Sequence, residues 1–87
     1  MARYRILIKA SAAKEIEDIP NRKDRRRIVQ RIRSLEEEPR PPGSQKLSGQ
    51  ERYRVRQGVY RIVYSIRDES LVVQVVKVGH RRDVYRG

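Results

Sequence analysis

Residues 52–64 read RYRVRQGVYRIVY. Arg52, Arg54 and Arg56 fall on alternate positions around Tyr53 and Val55. Beyond a Gln-Gly step, Tyr60, Ile62 and Tyr64 alternate with Arg61 and Val63. Period-two alternation on both sides of a turn signal predicts a β-hairpin. With Gln57-Gly58 as a two-residue loop, Arg56 opposes Val59, Val55 opposes Tyr60, Arg54 opposes Arg61 and Tyr53 opposes Ile62. Tyr53, Val55, Tyr60, Ile62, Tyr64 and Ile66 then share a core face. Arg52, Arg54, Arg56 and Arg61 share the other face with Val59 and Val63. Like charges directly across a ladder destabilise it, and nothing in folding calls for an Arg54–Arg61 pair. An anion between them reverses the sign, and a phosphate held by two guanidinium groups is the simplest one. The competing reading is that both side chains splay into solvent at little cost.

The flanking sequence supplies the rest of the fold. YRILIKA, residues 4–10, alternates as a half-buried first strand, with Tyr4, Ile6 and Ile8 on one face. Ser11 stands at the N-cap position before AAKEIEDI, in which Ala12, Ile16 and Ile19 have helical spacing and Pro20 ends the run. A second helix follows Asn21 through RKDRRRIVQRIRSLEEE, with Ile28, Ile32 and Leu35 as its apolar stripe. PRPPGSQ, residues 39–45, is a turn-rich connection. Strands are expected over about 52–56, 59–66 and 71–78. The last is apolar at nearly every position, as in a strand covered on both faces. The expected order is β-α-α-β-β-β: an α+β fold with a helical hairpin on a largely antiparallel four-stranded sheet, built as one domain over residues 1–87.

Charge is the strongest compositional signal. Lys plus Arg number 22 against 11 acidic residues, a net charge of +11. That balance favours a polyanion or an acidic protein as partner, and arginine suits bidentate phosphate contacts because its guanidinium is planar and always charged. Arg22, Lys23, Arg25, Arg26 and Arg27 crowd the start of the second helix, and Glu36, Glu37 and Glu38 close it. The helix dipole prefers the reverse order. Two readings of that cluster stand level: a surface for a polyanion, or a solvated face supported by pairs such as Arg33 and Glu37.

Other chemistries find little support. There is no cysteine, which excludes disulfides and zinc–thiolate sites and fits a cytoplasmic location. The longest nearly apolar stretch, LVVQVVKV at 71–78, is far short of a membrane span, and no signal-peptide core follows the basic N-terminus. His80 is the only histidine. No metal-ligand or Ser-His-Asp pattern accompanies it, and a lone histidine near a turn is more often a surface residue than a catalyst. Gly79 is expected to end the last strand, leaving Arg81, Arg82 and Tyr85 in a basic tail. Tyr85 either packs the chain end on the core or offers its hydroxyl to chemistry.

KLSG at 46–49, YRVRQGVYRIVYSI at 53–66 and VVQVVKVGHRRDVY at 72–85, in this order, resemble the RelE family of toxins within the RelE/ParE superfamily. The resemblance spans almost the whole chain. It implies the toxin of a toxin–antitoxin pair: a metal-independent, cofactor-free endoribonuclease that cuts mRNA in the ribosomal A site and stops translation. The ribose 2′-hydroxyl would attack the adjacent phosphate. The family's functional positions fall on Arg54, Arg56, Arg61, Arg81 and Tyr85. Arg61 and Arg81 would hold the scissile phosphate, and Tyr85 would stack on or orient the nucleotide. Arg22, Lys23, Arg25, Arg26, Arg27, Lys46, Arg52 and Arg82 are the expected RNA and ribosome contacts.

The family pattern has lysines where this chain has Arg54 and Arg56. An arginine does not give up its proton, so the base would be Tyr85, His80 or a ribosomal RNA group. Implied partners are a small acidic RelB-like antitoxin, which folds on a monomeric toxin unit, and the ribosome with its mRNA. No membrane is involved. Two other functions fit the same features: a ParE-like inhibitor of DNA gyrase on this fold, and a non-catalytic nucleic-acid-binding module in which no single arginine is privileged.

Overall fold

The computed structural model describes residues 3–49 and 51–80. The elements run β1 (Arg5–Ile8), α1 (Ala10–Glu17), α2 (Arg22–Ser34), β2 (Gln45–Lys46), β3 (Tyr53–Gln57), β4 (Tyr60–Arg67) and β5 (Val72–His80). They form one sheet in the order β1-β5-β4-β3-β2. β1 lies parallel to β5, and every other pairing is antiparallel. The sheet therefore has five strands rather than the expected four. The extra one, β2, is two residues long, too short to carry a periodicity, and it closes the proline-rich connection by pairing with β3.

Both helices cover one face of the sheet. Ala12 and Ile16 of α1, Ile19 beyond it, and Ile28, Ile32 and Leu35 of the second helical stripe pack on Val55, Ile62, Tyr64, Val73, Val75 and Val78. α1 starts at Ala10 with Lys9 as N-cap and no side-chain capping bond, two residues before the expected cap at Ser11. The reason is the tight exit from β1: the Lys9 N–H is still bonded to the Val75 carbonyl at 2.9 Å, so the chain passes from ladder to helix without a spare residue. α2 is capped by its sequence. The Asn21 side chain accepts from Lys23 N (2.8 Å) and Asp24 N (3.1 Å). Asn21→Ala is expected to lower stability by about 1 kcal/mol, read as a reduced urea midpoint at unchanged m-value.

β5 departs from a doubly covered strand. A register shift sits opposite Val63/Tyr64, where Val63 pairs with Lys77 but Tyr64 pairs with Val75. The extra residue, Val76, reverses the in-out parity. Val73 and Val75 before it, and Val78 after it, thereby all reach the helix side. Gln74 is exposed, and Val76 and Lys77 are half-buried. The strand also runs on through Gly79 to His80, so Gly79 lies inside the ladder opposite Arg61 and is not a turn.

Two polar knots hold the connections. Tyr64 is fully buried; its hydroxyl donates to the Pro39 carbonyl at 2.7 Å, and its ring stacks on Tyr53 with centroids 6.0 Å apart. Next to it, Arg40 makes two bonds to Asp68, at 3.2 and 3.0 Å, and one to the Tyr53 hydroxyl at 3.2 Å. The Tyr4 hydroxyl donates to the same Asp68 carboxylate at 2.7 Å. The Arg40 and Tyr4 bonds hold the Asp68 carboxyl below its ordinary range.

Burial pushes the Tyr64 phenol up to about 12. Its unfolded counterpart ionises near 10. The neutral phenol's contribution to stability is thus complete below pH 10 and is lost as the pH rises from 10 toward 12. The urea midpoint is expected to fall over that window, and to fall less steeply in Tyr64→Phe.

Candidate active site

The β3–β4 hairpin turns at Gly58-Val59, with Gln57 paired to Tyr60. Gly58 has φ 61, the left-handed value that a two-residue turn with glycine in the first central position requires. The expected Gln57-Gly58 loop is therefore displaced by one residue. That moves the register by two: Arg56 faces Arg61, Val55 faces Ile62, Arg54 faces Val63 and Tyr53 faces Tyr64. A two-residue slip preserves parity, so the division into faces survives while the partners change. Arg61 lies directly across from Arg56 rather than Arg54. Arg54 becomes its diagonal neighbour, roughly 7–8 Å away by ladder geometry.

Three arginines thus gather on the face of the sheet that the helices leave uncovered. Arg54 and Arg61 are each only 8% exposed, whereas Arg56 is open to solvent. Placing two guanidinium groups in so little water is expensive, and an arginine cannot escape the cost by deprotonating. The Arg54 guanidinium donates to the Gln45 side-chain oxygen from β2, so the short edge strand positions a candidate site residue. Gln45 has no signal in the sequence beyond its place after three prolines. Opposite Arg61 on β5 stands Gly79.

His80 lies elsewhere. It pairs with Tyr60, with the two rings edge to face at 6.1 Å, and both belong to the helix side of the sheet. There it lines a cleft with Glu15, Asp18 and Lys77. The Glu15 carboxylate fixes this end of β5 by accepting from the Val78 N–H at 3.1 Å and lying 3.8 Å from Lys77 Nζ. Alternation along β4 and β5 thus separates His80 from the arginine face. Arg81, Arg82 and Tyr85 lie outside the described residues.

The other expected RNA contacts split into two groups. Lys46 and Arg52 are exposed beside the hairpin; Lys46 pairs with Glu51 at 3.8 Å. Arg22, Arg25 and Arg26 line an open groove of about 590 Å³ between the helices, together with Glu17, Val29 and Arg33, and Lys23 and Arg27 are exposed nearby. That groove belongs to the helix layer, and the sheet separates it from Arg54, Arg56 and Arg61. The molecule therefore presents two basic surfaces rather than one. Among the described residues, no group of three or more His, Asp or Glu side chains is placed to hold a metal ion, and no helix is long and apolar enough to cross a membrane.

Comparison with known proteins gives a consistent picture. The family model for the ParE toxin of type II toxin–antitoxin systems, parDE, matches residues 6–85. Toxin RelG of Mycobacterium tuberculosis is 44% identical over 34 residues, a stretch covering 39% of each chain. The structure is similar to that of the isolated E. coli RelE toxin (TM-score 0.77, 30% identity, 94% of this chain and 90% of that one). It is also similar to a chain of the toxin–antitoxin complex RelBE2 from M. tuberculosis (TM-score 0.81, 27% identity, 95% and 97% coverage).

Proposed function

Since the chain belongs to the ParE toxin family of type II toxin–antitoxin systems, we propose that this toxin is a ribosome-dependent mRNA endoribonuclease acting in the A site. The observation that carries the reading is the Arg61 cluster: Arg56 directly opposite and open to solvent, Arg54 diagonal, and all three on the sheet face away from the helices. In-line attack of the 2′-oxygen on phosphorus breaks the P–O5′ bond. It leaves a 2′,3′-cyclic phosphate and a 5′-hydroxyl. Charge builds on the non-bridging oxygens of the phosphorane, where fixed guanidinium groups stabilise it more than they stabilise the ground state. Arg61 and Arg81 hold that phosphate, Arg54 and Arg56 add positive charge beside it, and Tyr85 orients the nucleotide.

The proton of the 2′-hydroxyl needs an acceptor and the 5′-oxygen needs a donor. The arginines serve neither role, and His80 stands on the other face of the sheet. The acceptor is therefore Tyr85 or a ribosomal group, which makes the ribosome part of the active site. A cognate antitoxin, acidic and RelB-like, complements the net charge of +11 and covers the toxin when it is silent. Support for such a partner comes from the antitoxin-bound state of the M. tuberculosis relative.

Purified toxin added to ribosomes programmed with a defined message is expected to cut within the A-site codon and leave a cyclic phosphate end. The same message free in solution should be cut far more slowly. An intact message on ribosomes, with folded toxin present, refutes the reading. One observation favours a gyrase poison instead: the matching family model is that of ParE. Inhibition of gyrase supercoiling by the purified chain, with translation unaffected, would establish that alternative.

A further inference from the structure

The sheet face opposite the helices extends well beyond the Arg61 cluster. At its far end one cross-strand row holds Arg5 on β1, Val72 on β5 and Arg67 on β4. The neighbouring row places Gln74 beside Ser65. With Ser70 these residues line a cleft of about 310 Å³. Its floor is apolar, since Val72 is 9% exposed, and both arginines are exposed. We propose that this cleft is a second anion subsite, in which Arg5 and Arg67 grip a phosphodiester of the RNA backbone distant from the one held by Arg61.

Four observations converge on this assignment. First, Arg5 and Arg67 flank a single strand, so they stand two strand spacings apart, roughly 10 Å between backbones. Long side chains can close that gap on one anion. Second, neither guanidinium lies within 4 Å of a carboxylate among the described residues. The adjacent carboxylate, Asp68, is bonded to Tyr4 and Arg40 instead. Third, the two arginines are held in relation to each other. Tyr4 and Asp68, their chain neighbours, are bonded at 2.7 Å, which ties the start of β1 to the end of β4. Fourth, the rim is strained. Leu71 has φ 55, the only positive φ at a non-glycine among the described residues, a conformation costing about 1 kcal/mol or more. Its carbonyl accepts the Arg5 N–H at 2.8 Å. Strain of this kind gathers at binding sites, and here it sets the backbone position of Arg5.

Arg67 is six residues from Arg61 along β4, about 20 Å of strand. The two sites thus engage separate phosphates of a strand crossing the sheet. The site's identity as an RNA subsite rests on the nuclease reading; its anion chemistry does not. The phosphodiester could come from the message or from ribosomal RNA, and two probes separate these sources.

The test measures binding of full-length toxin to a fluorescent single-stranded 2′-O-methyl RNA, and separately to vacant small ribosomal subunits, across a salt series. Glutamine substitutions remove the charge but keep much of the aliphatic stem over Val72. For Arg5→Gln/Arg67→Gln the slope of log K against log salt on the single strand is expected to shrink by about 0.7, the loss of one neutralised phosphate. The Arg5→Lys/Arg67→Lys chain is expected to restore it. A change confined to the vacant subunit assigns the contact to ribosomal RNA. Should the double glutamine variant melt early, Arg67→Gln alone carries the test, with a smaller decrease in the same direction.

Wild-type slopes on both probes overturn the proposal, as does weakened antitoxin binding with RNA binding intact, which makes the cleft a protein-docking surface. Cleavage of programmed mRNA by the unmutated toxin is scored independently. Absent cleavage with a reduced slope leaves the anion site standing and removes the nuclease reading; present cleavage with an unchanged slope does the reverse.

Discussion

Arg61→Ala is expected to abolish growth arrest and to slow A-site cleavage by about 10²–10³-fold, the usual cost of deleting one preorganised donor to a developing oxyanion. The loss should appear in the single-turnover rate at saturating toxin, because in the proposed mechanism the interaction strengthens as the phosphorane forms. Arg61 is mostly buried, so its stem also fills space, and a drop in activity alone is ambiguous. Arg61→Lys keeps most of the stem and the charge but loses the planar fork. It should retain the melting temperature and antitoxin binding while recovering only part of the rate. Arg26→Ala, on the helix layer, is the matched control for simple loss of charge. Undiminished growth arrest by Arg61→Ala would refute the role given to Arg61. Equal losses at Arg61 and Arg26 would point to a nucleic-acid-binding module without a catalytic centre.

Tyr64→Ala is expected to be the most damaging single change to the fold, at about 3–5 kcal/mol. The phenol is fully buried on the central strand, and its removal leaves a cavity between Tyr53 and the helix layer. It also releases the Pro39 carbonyl. Pro39 begins the connection to β2, and β2 supplies Gln45 to Arg54. The damage should therefore spread to the arginine face. In a chain of 87 residues a loss of that size is a large fraction of an ordinary total stability of roughly 5–15 kcal/mol. Tyr64→Phe keeps the ring and gives up one hydrogen bond, with an expected cost of about 1–2 kcal/mol. Urea unfolding followed by circular dichroism separates the two. Equal effects would show that the hydroxyl bond, not the buried ring, is the main contribution.

The two faces of the hairpin were legible in the sequence, and the displaced register shows why. Parity along a strand depends only on counting residues, so the division between Tyr53, Val55, Ile62 and Tyr64 on one side and Arg54, Arg56 and Arg61 on the other survived a displaced turn. Cross-strand partners depend on which two residues make the loop. Gln57-Gly58 and Gly58-Val59 are both admissible from composition, and the positive φ of Gly58 selects the second. The same limit applies to β5, where a bulge changes parity with no sequence marker among five valines, lysine and glutamine.

By itself the sequence determined the element order, the helical stripe of Ile28, Ile32 and Leu35, the cap at Asn21, and a sheet with one apolar and one arginine-bearing face. These are local properties, set by periodicity and by side chains bonding to nearby backbone. Tertiary structure alone decided what depends on distant segments meeting. It brought Gln45 to Arg54, placed His80 on the face away from Arg61, and kept the helix arginines apart from the sheet arginines. It also set Arg5 across β5 from Arg67, 62 positions later, through a parallel pairing of β1 with β5. No local pattern encodes that pairing, because it is chosen by how the helical hairpin folds back onto the sheet.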